Sequence, residues 1–99
     1  QMAVEIKFVA RYKELSLSEI EVLREIKTKS KTMSQLASKT KLVNSAISDI
    51  VGFFESANLV RATRRGKYKI VELTPDGKVK LRQLDKREAE YKKPVIMFL

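Results

Sequence analysis

The sequence predicts a mostly helical α+β fold: a three-helix core with a β-hairpin over about residues 17–74, then a further helix. Three observations carry that prediction. Apolar residues recur at helical spacing behind capping pairs, two strand-like runs flank a glycine, and Thr74-Pro75-Asp76 reads as another helix start. The 99 residues suit a single domain, and with 43% apolar and 33% charged residues the composition is that of a chain that folds.

Taken in order, the even positions Val4, Ile6, Phe8, Ala10 and Tyr12 are apolar or aromatic and favour a strand, although Val4, Phe8, Tyr12 and Leu15 would also line one helical face. Gln1 precedes Met2, which makes Met2 a candidate start residue. The first helix is expected to begin at Ser18, with Glu21 completing a capping box, Leu17 and Val22 forming a hydrophobic staple, and Ile20, Leu23 and Ile26 facing inward. Lys27 to Lys31 reads as a polar loop. Thr32 and Gln35 repeat the capping signature and open a short second helix to about Lys39, anchored by Met33, Leu36 and Ala37.

After a break at Thr40 to Val43, a third helix runs from about Asn44 to Ala57 on the stripe Ile47, Ile50, Val51 and Phe54. Leu59–Arg64 and Lys67–Leu73 are expected to pair as strands joined at Arg65-Gly66, where glycine can take a positive φ. Thr74 supplies a capping hydroxyl, Pro75 suits the first helical position, and Asp76 suits the positive end of the helix dipole. The last helix should reach Lys93 and stop at Pro94, leaving Val95, Ile96, Met97, Phe98 and Leu99 as an apolar tail.

Composition removes several function classes. With no cysteine and no histidine, the chain has no disulfides, no Cys/His zinc site and no thiol or imidazole catalysis. Glu19 and Glu21 point different ways on a helix, and Gly52, Gly66 and Gly77 are too scattered for a phosphate loop. The reading is a non-enzymatic protein with no cofactor and no metal. No apolar run approaches the about 18–20 residues of a membrane span, and no secretory pattern opens the chain, so a cytoplasmic protein without membrane contact is expected. Twenty-one Lys and Arg against twelve Asp and Glu leave a net charge of +9, which points to a polyanionic partner.

Three helices, a basic hairpin and a further helix follow the order of a winged helix-turn-helix. The stretches Met33-Ser34-Gln35-Leu36-Ala37, Val43-Asn44-Ser45-Ala46-Ile47-Ser48-Asp49-Ile50-Val51, Phe54 to Val60 and Leu73-Thr74-Pro75-Asp76-Gly77-Lys78 carry a likeness. Over Leu17 to Val79 the chain resembles bacterial and archaeal winged-helix regulators of the MarR and ArsR-like class. That resemblance implies a double-stranded DNA partner, a third helix in the major groove and a hairpin that serves as the wing. Metal sensing of the ArsR kind is not implied, because its thiolate or imidazole ligands have no counterparts here.

The residues agree with it. Once the apolar stripe of the third helix faces inward, Asn44, Ser45, Ser48 and Asp49 lie opposite, short enough, with Ala46, to approach base edges. Asp49 stands where family members usually carry a cation or amide; it would repel phosphate and could accept from cytosine N4. Asn58 replaces a common glycine and can also take the left-handed conformation. Arg61, Arg64, Arg65, Lys67 and Lys69 crowd the hairpin, opposed there by Glu72 alone, and suit contact with phosphates. Lys27, Lys29, Lys31, Lys39 and Lys41 bracket the second helix, whose start adds Thr32 and Ser34.

A homodimer is expected through Leu81, Leu84 and Tyr91 of the last helix and the tail Val95 to Leu99, with residues 75–99 as the dimerisation segment. The competing function is a winged helix used for protein contacts or as part of a larger transcription or repair assembly. RNA ranks third, because Tyr68 is the only aromatic on the hairpin.

Overall fold

A computed structural model describes the backbone of residues 15–97 and the side chains of residues 15–87. In chain order the elements are α1 (Leu17–Glu25), β1 (Lys31–Thr32), α2 (Met33–Thr40), α3 (Asn44–Ser56), β2 (Val60–Arg65), β3 (Tyr68–Leu73) and α4 (Pro75–Met97). The expected strand over Val4 to Tyr12, Phe98 and Leu99 lie outside the described residues, as do the side chains of Tyr91, Val95, Ile96 and Met97.

Ser16, not Ser18, caps α1. Its hydroxyl accepts the Glu19 amide at 3.2 Å while the Glu19 carboxylate accepts the Ser16 amide at 2.8 Å. Both serines stand three residues before a glutamate, so spacing alone fits either. Starting at Ser16 puts Leu15 and Ile20 at the staple positions, and Leu15 packs against the core while Leu17 is 80% exposed. The α2 box forms as expected: Thr32 Oγ1 accepts the Gln35 amide at 3.1 Å and Gln35 Oε1 accepts the Thr32 amide at 2.9 Å. Lys41, left-handed at φ 61°, ends α2, and Asn58 at φ 62° follows α3.

β2 and β3 pair antiparallel, with Val60 opposite Leu73 and Arg65 opposite Tyr68. The turn therefore falls on Gly66-Lys67, one residue later than expected. Gly66 carries the positive φ of 60° at the first central position, which is where a type II′ hairpin needs it. The strand β1 was not anticipated, since Lys27 to Lys31 read as a polar loop. Lys31 and Thr32 pair with Val71 and Ile70, giving the sheet order β1-β3-β2. Two residues between a lysine-rich loop and a cap leave no alternation to read.

Val22 and Leu23 from α1 and Ile26 at its C-cap, Leu36 from α2, and Ile47, Val51 and Phe54 from α3 form the core with Val60 and Val71 of the sheet. α4 joins them through Leu81, which is 2% exposed. Leu81, expected to need a partner chain, is thus a core residue of its own domain, and Leu84 packs half-buried beside it. The helical core does need α4. α4 also continues to Met97 instead of stopping at Pro94. A proline removes one hydrogen bond and bends a helix, and the turns on either side can persist.

One polar cluster fixes α4 to the sheet. Thr74 is buried; its hydroxyl donates to the Asn58 carbonyl at 2.6 Å and accepts the Gly77 amide at 3.0 Å, while Asn58 Nδ2 donates to Asp76 Oδ2 at 2.9 Å. A Cβ on Gly77 would collide with the Leu59 carbonyl oxygen and lie 2.7 Å from Leu73 Cδ1. On the far side, Arg24 and Lys27 both reach Asp85, each at 3.3 Å, which ties α1 to α4.

Candidate nucleic-acid interface

α3 buries Ile47, Val51 and Phe54 and turns Asn44, Ser45, Ser48 and Asp49 to solvent, with Ala46 half-buried. The 3.6-residue period dictates this division, and small side chains keep the outward face low. Gly52 and Glu55 continue the exposed stripe. The face carries two acids, Asp49 and Glu55, and no cation. Positive charge lies around it.

The hairpin divides its cations into two groups. Near its base, Arg61 pairs with the directly opposite Glu72 at 3.4 Å. Lys69 of the central strand β3 reaches Glu55 of α3 at 3.9 Å, an ion pair between the sheet and that helix. Exposed pairs of this kind are worth about 0–1 kcal/mol and yield readily to a phosphate. At the tip, Arg64, Arg65 and Lys67 are exposed and have no carboxylate partner among the described residues; Lys67 Nζ lies 5.5 Å from the Tyr68 ring centroid. One cation in the two-residue turn and two directly before it form a compact positive point.

The cluster around α2 is more dispersed than the sequence implied. Lys31 is half-buried and its ammonium donates to the Glu25 carbonyl at 2.6 Å, closing the end of α1. The Thr32 hydroxyl serves its own helix as a cap. Lys27 is held by Asp85. Ser34, Lys39 and Lys41 are exposed.

The same arrangement of elements recurs in solved structures. The YusO protein of Bacillus subtilis superposes with a TM-score of 0.81 at 20% identity, over 100% of this chain and 79% of that one. The transcriptional regulator BldR of Sulfolobus solfataricus gives 0.75 at 24% identity, over 92% and 68%. The fold is a winged helix-turn-helix. In that frame α2 and α3 are the helix-turn-helix, β2–β3 is the wing and α4 is the helix beyond it. BpsR of Bordetella bronchiseptica, whose DNA binding is regulated by 6-hydroxynicotinic acid, gives 0.72 at 14% identity; the match covers 84% of this winged helix and 62% of BpsR. No protein-family model matches the sequence, and no curated protein is significantly similar to it.

Val43 was missed as a candidate. It directly precedes α3, is 69% exposed, and makes no side-chain cap. The sequence does carry a signal: a valine where the other helix starts among the described residues place a hydroxyl. Among the described residues no group of acidic side chains could hold a metal ion, and no helix is long and apolar enough to cross a membrane.

Proposed function

We propose that this chain is a non-enzymatic, cytoplasmic transcriptional regulator that binds double-stranded DNA, with α3 in the major groove and the wing on the backbone. The observation that carries the reading is the wing tip, where Arg64, Arg65 and Lys67 stand exposed with no carboxylate partner among the described residues, on the hairpin that directly follows the polar-faced α3 in the chain. Three clustered cations add no packing to a folded hairpin, whereas a hairpin lying along phosphates gains attraction from each of them. Lys41 and Ser34 extend the phosphate contacts on the other side of α3. Base selection belongs to Asn44, Ser45, Ala46 and Ser48, with Asp49 rejecting misplaced phosphate and favouring cytosine N4. The shared fold with BldR and BpsR supports the same reading.

The functional unit is a homodimer. Its contacts are drawn from Leu84, Tyr91 and the apolar run Val95, Ile96, Met97, Phe98 and Leu99. A two-fold axis would offer two copies of α3 to half-sites about 34 Å apart.

Salt titration with duplex DNA tests the DNA reading. Arg64→Ala is expected to weaken binding to all sequences alike and to flatten the log–log salt slope by about one unit, and the Arg64/Arg65 double alanine variant by about two. Unchanged affinity and slope in the double variant would overturn the wing contact. Salt-independent association with a protein partner and no duplex binding would favour a protein-contact module.

A further inference from the structure

Three of the four helices among the described residues begin on a hydroxyl: Ser16, Thr32 and Thr74 each accept the backbone amide three residues on. α3 begins on Val43. Valine ranks far below Ser, Thr, Asn or Asp at that position because it offers the orphan amides of the first turn no acceptor. Nor does the core gain from it, since the side chain is 69% exposed. Among the described residues the other large exposed apolar side chains, Leu17, Tyr68 and Val79, lie on α1, at the wing tip and on α4. A branched apolar group is thus left in water immediately before Asn44 and Ser45, with exposed Lys41 two residues earlier.

We propose that Val43 reads the C5 methyl group of a thymine in the major groove, an inference that rests on the DNA-binding reading above. Thymine's methyl is the apolar feature of the major-groove edge, and an apolar side chain at the leading end of a groove-binding helix is its natural complement. Polar neighbours hydrogen-bond; an isopropyl group cannot, so its contribution is confined to a methyl contact and its removal changes discrimination at one base pair. The lysine nearby supplies attraction to phosphate that does not depend on sequence.

The test replaces each thymine, one at a time, by deoxyuracil in a duplex obtained by selection from random sequences, which deletes the methyl and leaves every hydrogen-bonding group in place. Wild-type protein should bind about three- to fivefold more weakly when the thymine opposite Val43 is replaced, the effect of one buried methyl. Val43→Ala should bind both duplexes equally. Val43→Ser, which supplies the missing cap, should melt about 4–8 °C higher than wild type and likewise lose the distinction. Wild-type protein that binds every deoxyuracil duplex as tightly as the parent, with its salt dependence intact, overturns the Val43 assignment alone. A methyl effect that survives in Val43→Ser also overturns it. Absence of salt-dependent duplex binding removes the DNA reading as well.

Discussion

Gly77 stands where the first turn of α4 crosses the chain between α3 and β2, closer to the Leu59 carbonyl than any Cβ permits. Alanine there gains up to about 1 kcal/mol in helix propensity. It must also push α4 off the Leu59 backbone and the Leu73 side chain, at a cost of about 1–3 kcal/mol or more. The second effect wins because one colliding atom is backbone and cannot rotate away. Gly77→Ala should therefore lower the urea midpoint without changing the m-value; an equal or higher midpoint would mean that α4 can shift freely. Residues of this kind are unevenly legible in a sequence. Asn58 was readable as a left-handed residue because its own chemistry permits that conformation, and Thr74 because proline and an acid follow it. Leu81 was not, because helical spacing says that a residue is buried without saying against what.

Capping decides where the helices start, and α1 offers a direct comparison of two serines. Ser16→Ala should cost about 0.5–2 kcal/mol and lower Tm by several degrees, whereas Ser18→Ala, inside the helix, should change stability by less than about 0.5 kcal/mol. Thermal melts showing the reverse order would move the start of α1 to Ser18. The sequence contains both boxes in overlapping register, and only the packing of Leu15 separates them. α2, α3 and the hairpin were legible because capping pair, apolar period and glycine agreed. β1 was not, since its pairing with β3 is set by the fold around it. Of the candidate site, the wing cations and the polar face of α3 could be read from residue type and period. The uses that withdraw Lys31 to the Glu25 carbonyl, Arg61 to Glu72 and Lys69 to Glu55 depend on distances no pattern contains.

For the molecule as a whole, the proposed dimer makes α4 both a core element and a contact element. Sedimentation of the wild type at micromolar concentration should report a dimer, and a chain ending after Lys93 should report a folded monomer, because Leu81 and Leu84 remain in place. A wild type that stays monomeric well above that range would defeat the dimer, and a dimeric truncated chain would exclude the last turn of α4 from the contact. The sheet order β1-β3-β2 has a separate consequence. Among the described residues the sheet has two outer strands, and an outer strand can recruit another chain by main-chain pairing. One edge here is only two residues long. The other is β2, whose six residues include three arginines, and charge repulsion between copies keeps such an edge from adding strand to strand. Arginine on β2 therefore gives that edge a charge barrier to strand addition that does not depend on DNA, and β3 lies between its two neighbours.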